Sequence, residues 1–282
     1  MLRSILRTFL PFSTCFGIVL CTAPAASAQT TKVDAAESAP EKLFEPREYI
    51  GEEGPLAGKS LKYRLLKPLD YDPSEKYPLV VFLHGAGERG DDNTAQLVHG
   101  MADFCSPENR KKYRCYVIAP QCPKGEKWAD IDWSADQITL PPHASQSMQL
   151  TLALVDSMLA DAAVDKKRVY ITGLSMGGYG TWDALARRPD FFAAAIPICG
   201  GGDPATAEQI KHIPLACYHG GADSVVNVER SRDMIEALRQ AGGKPLYTEY
   251  PGVGHNSWTA TYANPDTLEW LFAQRHAAKV QP

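Results

Sequence analysis

One run limits the folds open to this chain more than any other: Tyr170-Ile171-Thr172-Gly173-Leu174-Ser175-Met176-Gly177-Gly178-Tyr179-Gly180. β-Branched and aromatic residues enter it and a glycine-rich segment leaves it. It therefore reads as a strand, a sharp turn with serine at the apex, and a helix that begins at once. Gly173 and Gly177 flank the serine where a side chain would strike the neighbouring strand or helix, and the strained turn needs the backbone freedom glycine supplies. The spacing G-x-S-x-G arises often by chance. In this strand-turn-helix setting it makes Ser175 the leading candidate for a nucleophile, with its hydroxyl raised above a sheet edge.

The rest of the chain supplies the sheet. Short apolar runs at 78–83, 116–119, 168–172, 192–198, 214–218 and 245–250 read as strands, and residues 60–68 alternate as an edge strand does. Residues 148–163 place Leu150, Leu152, Leu154, Val155, Met158 and Leu159 on a broad helical face. Residues 228–241 repeat the pattern with Met234, Ile235 and Leu238 before Gly242-Gly243, and 267–277 reads as a final amphipathic helix. Apolar strands alternating with helices predict an α/β fold, a mostly parallel twisted sheet covered on both faces.

The N-terminal part reads differently. Arg3 and Arg7, an apolar run from Phe9 to Cys21 and the small residues Ala26-Ser27-Ala28 fit a secretory signal peptide over 1–28, which predicts an exported protein, periplasmic or extracellular. Residues 29–58, rich in Ala, Glu, Pro and Lys without periodicity, read as a flexible segment, leaving 59–282 as one α/β domain. The formal net charge of −4 becomes more negative once the two arginines leave. With no basic cluster, this argues against nucleic acid and anionic membrane surfaces as partners. No further apolar segment is long enough to span a membrane.

Five cysteines lie beyond the expected leader: Cys105, Cys115, Cys122, Cys199 and Cys217. Export would permit disulfides, and Cys105 with Cys115 is the most plausible bridge across a polar loop. The equal alternative is that all five are small buried hydrophobes. Their spacing matches no zinc pattern, and nothing calls for a cofactor or metal.

A serine nucleophile needs a base, and the base needs an orienting acid. Reading onward from Ser175, Asp223 lies in His219-Gly220-Gly221-Ala222-Asp223, just after one apolar run, and His255 lies in Gly252-Val253-Gly254-His255, just after the last. Both fall at C-terminal strand ends, where parallel sheets gather ligands. Asp203, after the preceding strand, is the rival acid. Oxyanion donors are expected from the backbone N–H of Met176 and from the loop His84-Gly85-Ala86-Gly87-Glu88-Arg89-Gly90, with Ala86 favoured. His84 reads as a turn-holding residue. His99, His143, His212, His219 and His276 have no matching context and read as surface or structural.

Together with Ala119-Pro120-Gln121-Cys122-Pro123, these motifs resemble the α/β-hydrolase superfamily over about residues 60–275. Within it the chain is similar to small secreted bacterial carboxylesterases, feruloyl esterases, polyhydroxybutyrate depolymerases and prolyl-oligopeptidase-type (predicted peptidase) catalytic domains. The resemblance implies the roles of nucleophile, acid and base for Ser175, Asp223 and His255, a pocket-lining or loop-packing role for Trp128, and loop-bracing roles for Glu88 and Arg89. No gap is long enough for a large cap. The expected activity is a serine carboxylesterase without cofactor, acting on small-molecule or polysaccharide-linked esters such as feruloyl, acetyl or short aryl esters. A small serine peptidase and a non-enzymatic binding module are the alternatives.

Overall fold

In β3 (Tyr77–Leu83) every residue is buried, yet the strand feeds two cores. Leu79, Val81 and Leu83 point into one, Val80 and Phe82 into the other, as the alternation of side chains along a strand requires. The computed structural model describes residues 39–160 and 163–276, and the leader expected at 1–28 lies outside them. Among the described residues the remaining strands are β1 (Glu45–Ile50), β2 (Ser60–Leu66), β4 (Tyr116–Pro120), β5 (Val164–Leu174), β6 (Ala194–Ile198), β7 (Ala216–Gly220) and β8 (Leu246–Tyr250). They form one sheet in the order β1-β2-β4-β3-β5-β6-β7-β8. The pairs β1–β2 and β2–β4 are antiparallel and the others parallel.

Helices cover both faces. Met148, Leu152 and Val155 of α1 (Gln146–Ala160), Trp182 and Leu185 of α2 (Met176–Arg187), and Met234, Ile235 and Leu238 of α3 (Glu229–Gln240) complete the first core. The second is closed by Met101 and Phe104, by Tyr262 of α4 (Trp258–Ala263), and by Leu268 and Leu271 of α5 (Pro265–Ala273). This is the α/β-hydrolase architecture, with β5 near the middle of the sheet leading into Ser175.

Three expectations are corrected. Residues 45–50 are not a loose segment: Glu45-Pro46-Arg47-Glu48-Tyr49-Ile50 is the edge strand, paired residue for residue with 60–65, so β2 is internal. Its side chains carry charge and proline because an edge must not recruit further strands. That removes the apolar period from the sequence. The final helix runs over Pro265–Ala273 rather than 267–277, opened by Pro265 and capped where the Asn264 side chain accepts from Asp266 N–H, and the short helix α4 precedes it. The five cysteines are buried and free. Cys105 and Cys115 pack as apolar groups in one core rather than bridging.

Asp183 is a buried liability on α2. One oxygen meets Arg187 at 3.2 Å, the other is buried without a partner, and the guanidinium also serves the carbonyls of Pro141 and Pro142. Desolvation therefore outweighs the attraction of Arg187 and pushes the carboxyl from 3.8 up to about 6. A pKa raised on folding stabilises fully below the unfolded value, and that contribution is lost as pH rises through the folded one. Asp183→Asn should therefore gain on the wild type between pH 4 and 6.5, by up to about 3 kcal/mol in urea unfolding. Parallel stability curves across that window would refute the assignment.

Candidate active site

Ser175 follows β5 directly and has φ +54°, in the left-handed region that L-residues rarely adopt. The turn is held there by backbone. Its N–H donates to Ile198 O at 2.9 Å, and its carbonyl accepts Tyr179 N–H at 3.1 Å. A Cβ on Gly173 would lie 2.3 Å from Gly177 O, and one on Gly177 1.9 Å from Leu83 O, so both positions require glycine. The first turn of α2 thus lies against the end of β3. The serine side chain caps nothing and is left to point outward.

Three loops bring its neighbours to the same sheet edge. Past β8, His255 places Nε2 2.9 Å from Ser175 Oγ, and its Nδ1 lies 2.7 Å from Asp223 Oδ2, past β7. The Asp223 side chain is wholly buried while that of His255 is 19% exposed, so the hydrogen-bonded chain runs from the interior towards solvent. Asp223 Oδ1 accepts the N–H groups of Val225 at 2.8 Å and Val226 at 2.9 Å. Burial pushes this carboxyl up, but the His255 hydrogen bond and the two amides outweigh it and hold it below the usual range. An ionised carboxylate fixes the Nδ1–H tautomer of His255. Nε2 is then free to accept the serine proton.

The rival acid takes no part, because Asp203 accepts Leu140 N–H at 2.9 Å and Ala205 N–H at 2.9 Å as a loop cap.

The loop after β3 lies beside the serine: a Cβ on Gly85 would sit 3.6 Å from Ser175 Cβ. Ala86 opens a short 3₁₀ turn there, and Met176 opens α2, where the first N–H groups have no intrahelical acceptor. His84 pins this loop. Its Nδ1 lies 2.6 Å from Gly85 O and its Nε2 accepts Cys122 N–H at 2.9 Å, a pairing that requires a neutral ring. Burial supplies one by lowering its pKa to about 4. Arg89 braces the same loop by donating to Ala86 O at 2.9 Å.

Trp128 presents no face to a ligand. It is 0% exposed, donates to His84 O at 3.0 Å and packs against the His84 ring in a T-shaped contact, which places it in the packing of the loop. The aromatic at the site is Trp258, which the sequence reading passed over. Its ring lies 5.3 Å from that of His255 and 5.2 Å from that of His99, whose Nε2 is 3.6 Å from Glu88 Oε1. Its signal was faint, a tryptophan three residues past the candidate base. Cys199 was also missed. Its Sγ and the ligand atoms of Asp223 and His255 lie within 4.8 Å of one another, a set that could in principle hold a metal. Two of those atoms are already paired, and burial pushes the thiol up to about 12.

A sequence profile described as Phospholipase/Carboxylesterase matches residues 72–264, a span that includes every residue of this arrangement. The chain belongs to that family. Among solved structures, this carboxylesterase-family chain is similar to a thermostable esterase, with 42% identity and a TM-score of 0.76 over 83% of this chain and 63% of that one. An uncharacterized secreted protein of Arthroderma benhamiae is 25% identical over 250 residues, 76% of this chain. Poly(3-hydroxyalkanoate) depolymerase C of Paucimonas lemoignei is 33% identical over 148 residues, 52% of this chain. The chain spans 25% and 33% of the lengths of those two relatives.

Proposed function

We propose that this chain is an exported serine carboxylesterase. The reading rests on one observation, the unbroken hydrogen-bond chain Ser175 Oγ–His255 Nε2 and His255 Nδ1–Asp223 Oδ2 at 2.9 and 2.7 Å. Ser175 Oγ attacks the ester carbonyl carbon as its proton passes to His255 Nε2, and the N–H groups of Ala86 and Met176 hold the oxyanion. Collapse transfers that proton to the departing alcohol and leaves an acyl-serine. Water then attacks with His255 again as base, releasing the acid and restoring the serine. The N-terminal end of α2 favours the developing negative charge.

Among the described residues, short helices and turns rather than a separate cap follow the strands at this edge, which suits accessible esters: feruloyl or acetyl groups on polysaccharide, or short aryl esters. The depolymerase relative, by its name, acts on a polymeric ester. Export is supported by the leader-like residues 1–28 and by the secreted relative. Among the described residues no helix is long and apolar enough to cross a membrane.

Because His255 must hand its proton to the leaving oxygen, the alcohol lies on the His255 side, against Trp258. Trp258→Ala should raise KM for p-nitrophenyl acetate about fivefold, the worth of one aromatic contact, with little change in the preference among acyl chain lengths. A reordered acyl preference would place the indole on the acyl side instead.

The test of the function is a hydrolysis panel of p-nitrophenyl esters of rising chain length, methyl ferulate, acetylated xylan and a matched peptide amide, with Ser175→Ala as blank. Serine-dependent ester turnover supports the reading. Faster amide cleavage would make the chain a peptidase, and silence throughout would make it a binding module.

A further inference from the structure

We propose that His219 is a positioning residue for this reaction: its Nε2–H shares Asp223 Oδ2 with His255 Nδ1–H and locks the carboxylate that orients the base. By sequence alone His219 reads as surface or structural, and the inference rests on the esterase reading above. His219 lies at the end of β7 with 0% of its surface exposed. Its Nε2 is 3.0 Å from Val226 O and 3.2 Å from Asp223 Oδ2. Both neighbours are acceptors, so Nε2 must carry a proton. Its Nδ1 lies 2.7 Å from Ser231 Oγ, which is 3.0 Å from Gly200 O and 3.4 Å from Cys217 Sγ. Burial lowers the pKa of the ring, and the ring is held at Nδ1 against Ser231 Oγ, whose hydroxyl donates to Gly200 O. The ring is thereby fixed from β7, from α3 and from the loop after β6.

The consequence falls on Asp223. Three hydrogen bonds hold its two oxygens, from the Val225 and Val226 amides to Oδ1 and from His255 Nδ1–H to Oδ2, and His219 Nε2–H, bonded to Val226 O, stands 3.2 Å from Oδ2 as a fourth positive pole. A carboxylate so engaged cannot turn about its bond, and its spread charge makes it a weak base. The proton taken from Ser175 therefore stays on His255. Without His219, Oδ2 would keep a single partner on the side facing the site. Its charge would concentrate there, stabilising imidazolium and raising the pKa of His255. The titratable groups facing this assembly include Cys199 beside His255, Cys217 behind Ser231, Tyr179 of α2, which feels the Asp223 charge, and Glu249, which bears electrostatically on His219.

The test compares three variants on p-nitrophenyl butyrate and by NMR titration of the His255 ring. His219→Phe fills the space without a donor. His219→Asn, whose shorter amide stops short of Oδ2, serves the same purpose if the phenylalanine variant does not fold. His219→Gln can set its Nε2–H where the imidazole's was. Phe or Asn is expected to lower kcat about 10- to 100-fold, the worth of one hydrogen bond to a charged group, with KM within a factor of about two. The pKa of His255 should rise in those variants, Gln should restore most of kcat, and in an Asp223→Ala background His219→Phe should cost nothing further. Equal losses for Gln and Phe, an unmoved His255 pKa, or a loss that persists without Asp223 would overturn the proposal. If the wild type hydrolyses no ester, the esterase reading fails by itself, and the NMR titration still decides the role of His219.

Discussion

Ser175→Ala is expected to lower kcat on short aryl esters by on the order of 10⁴-fold or more while leaving thermal stability within a degree or two of wild type. Stability should hold because the serine hydroxyl bonds only to His255, and the turn is held by its backbone. Asp223→Asn should come close to the same loss for a different reason. Its amide oxygen would be retained by the N–H groups of Val225 and Val226, which turns the NH₂ towards His255. Nδ1 would then have to accept, and the ring proton would move to Nε2, facing Ser175 with nothing left to receive the serine proton. The loss should again be about 10⁴-fold, as expected for a wrong tautomer. Steady-state kinetics with matched circular dichroism decides both. A serine variant that keeps more than a hundredth of wild-type kcat would remove Ser175 from the mechanism.

Gly177→Ala should be the most damaging single-methyl change in the protein. The added carbon would meet Leu83 O at 1.9 Å, Leu83 C at 2.5 Å and His84 O at 2.8 Å. All three are backbone atoms of the central strand and the loop after it, so no side chain can yield. α2 would have to lift off β3, opening the core that Trp182 and Leu185 fill. We expect a cost of about 4 kcal/mol or more, or failure to fold. Gly87→Ala, where an added Cβ meets nothing within 4 Å, is the control and should lie within about 0.5 kcal/mol of wild type. Urea unfolding of the pair checks the comparison. Equal midpoints would show that the elbow can relax.

The sequence-level reading was strongest where local chemistry and global fold ask for the same residues. The strands β3, β4, β6 and β7 are apolar because both faces are buried, and Gly173 and Gly177 are glycine because the elbow admits nothing else. The order Ser175, Asp223, His255 follows from strand ends alone, and the structure brings these three within hydrogen-bonding reach. Other features failed to show for physical reasons. β1 is held by backbone pairing, which leaves no trace in side-chain pattern. Trp128 sits on a loop and Trp258 opens α4, and only the packing separates the one buried under His84 from the one beside His255. His219 drew no attention because its partners, Val226, Ser231 and Asp223, meet it only once the loop after β7 has turned back. A close approach of residues 219 and 223 across a turn has no periodicity to betray it.

The thiols carry a further consequence. All five described cysteines are buried, free and pushed up to about 12 by desolvation, so the native protein presents almost no thiolate to an oxidant or an alkylating reagent. An unpaired thiol is a hazard wherever oxidants reach it; here the fold itself is the protecting group for the five described thiols while the chain stays folded. The five thiols are also spread over both faces of the sheet, Cys122 and Cys217 in one core, Cys105, Cys115 and Cys199 in the other. The order in which they become reactive would therefore record which layer of the molecule opens first, a built-in clock for unfolding that needs no added label.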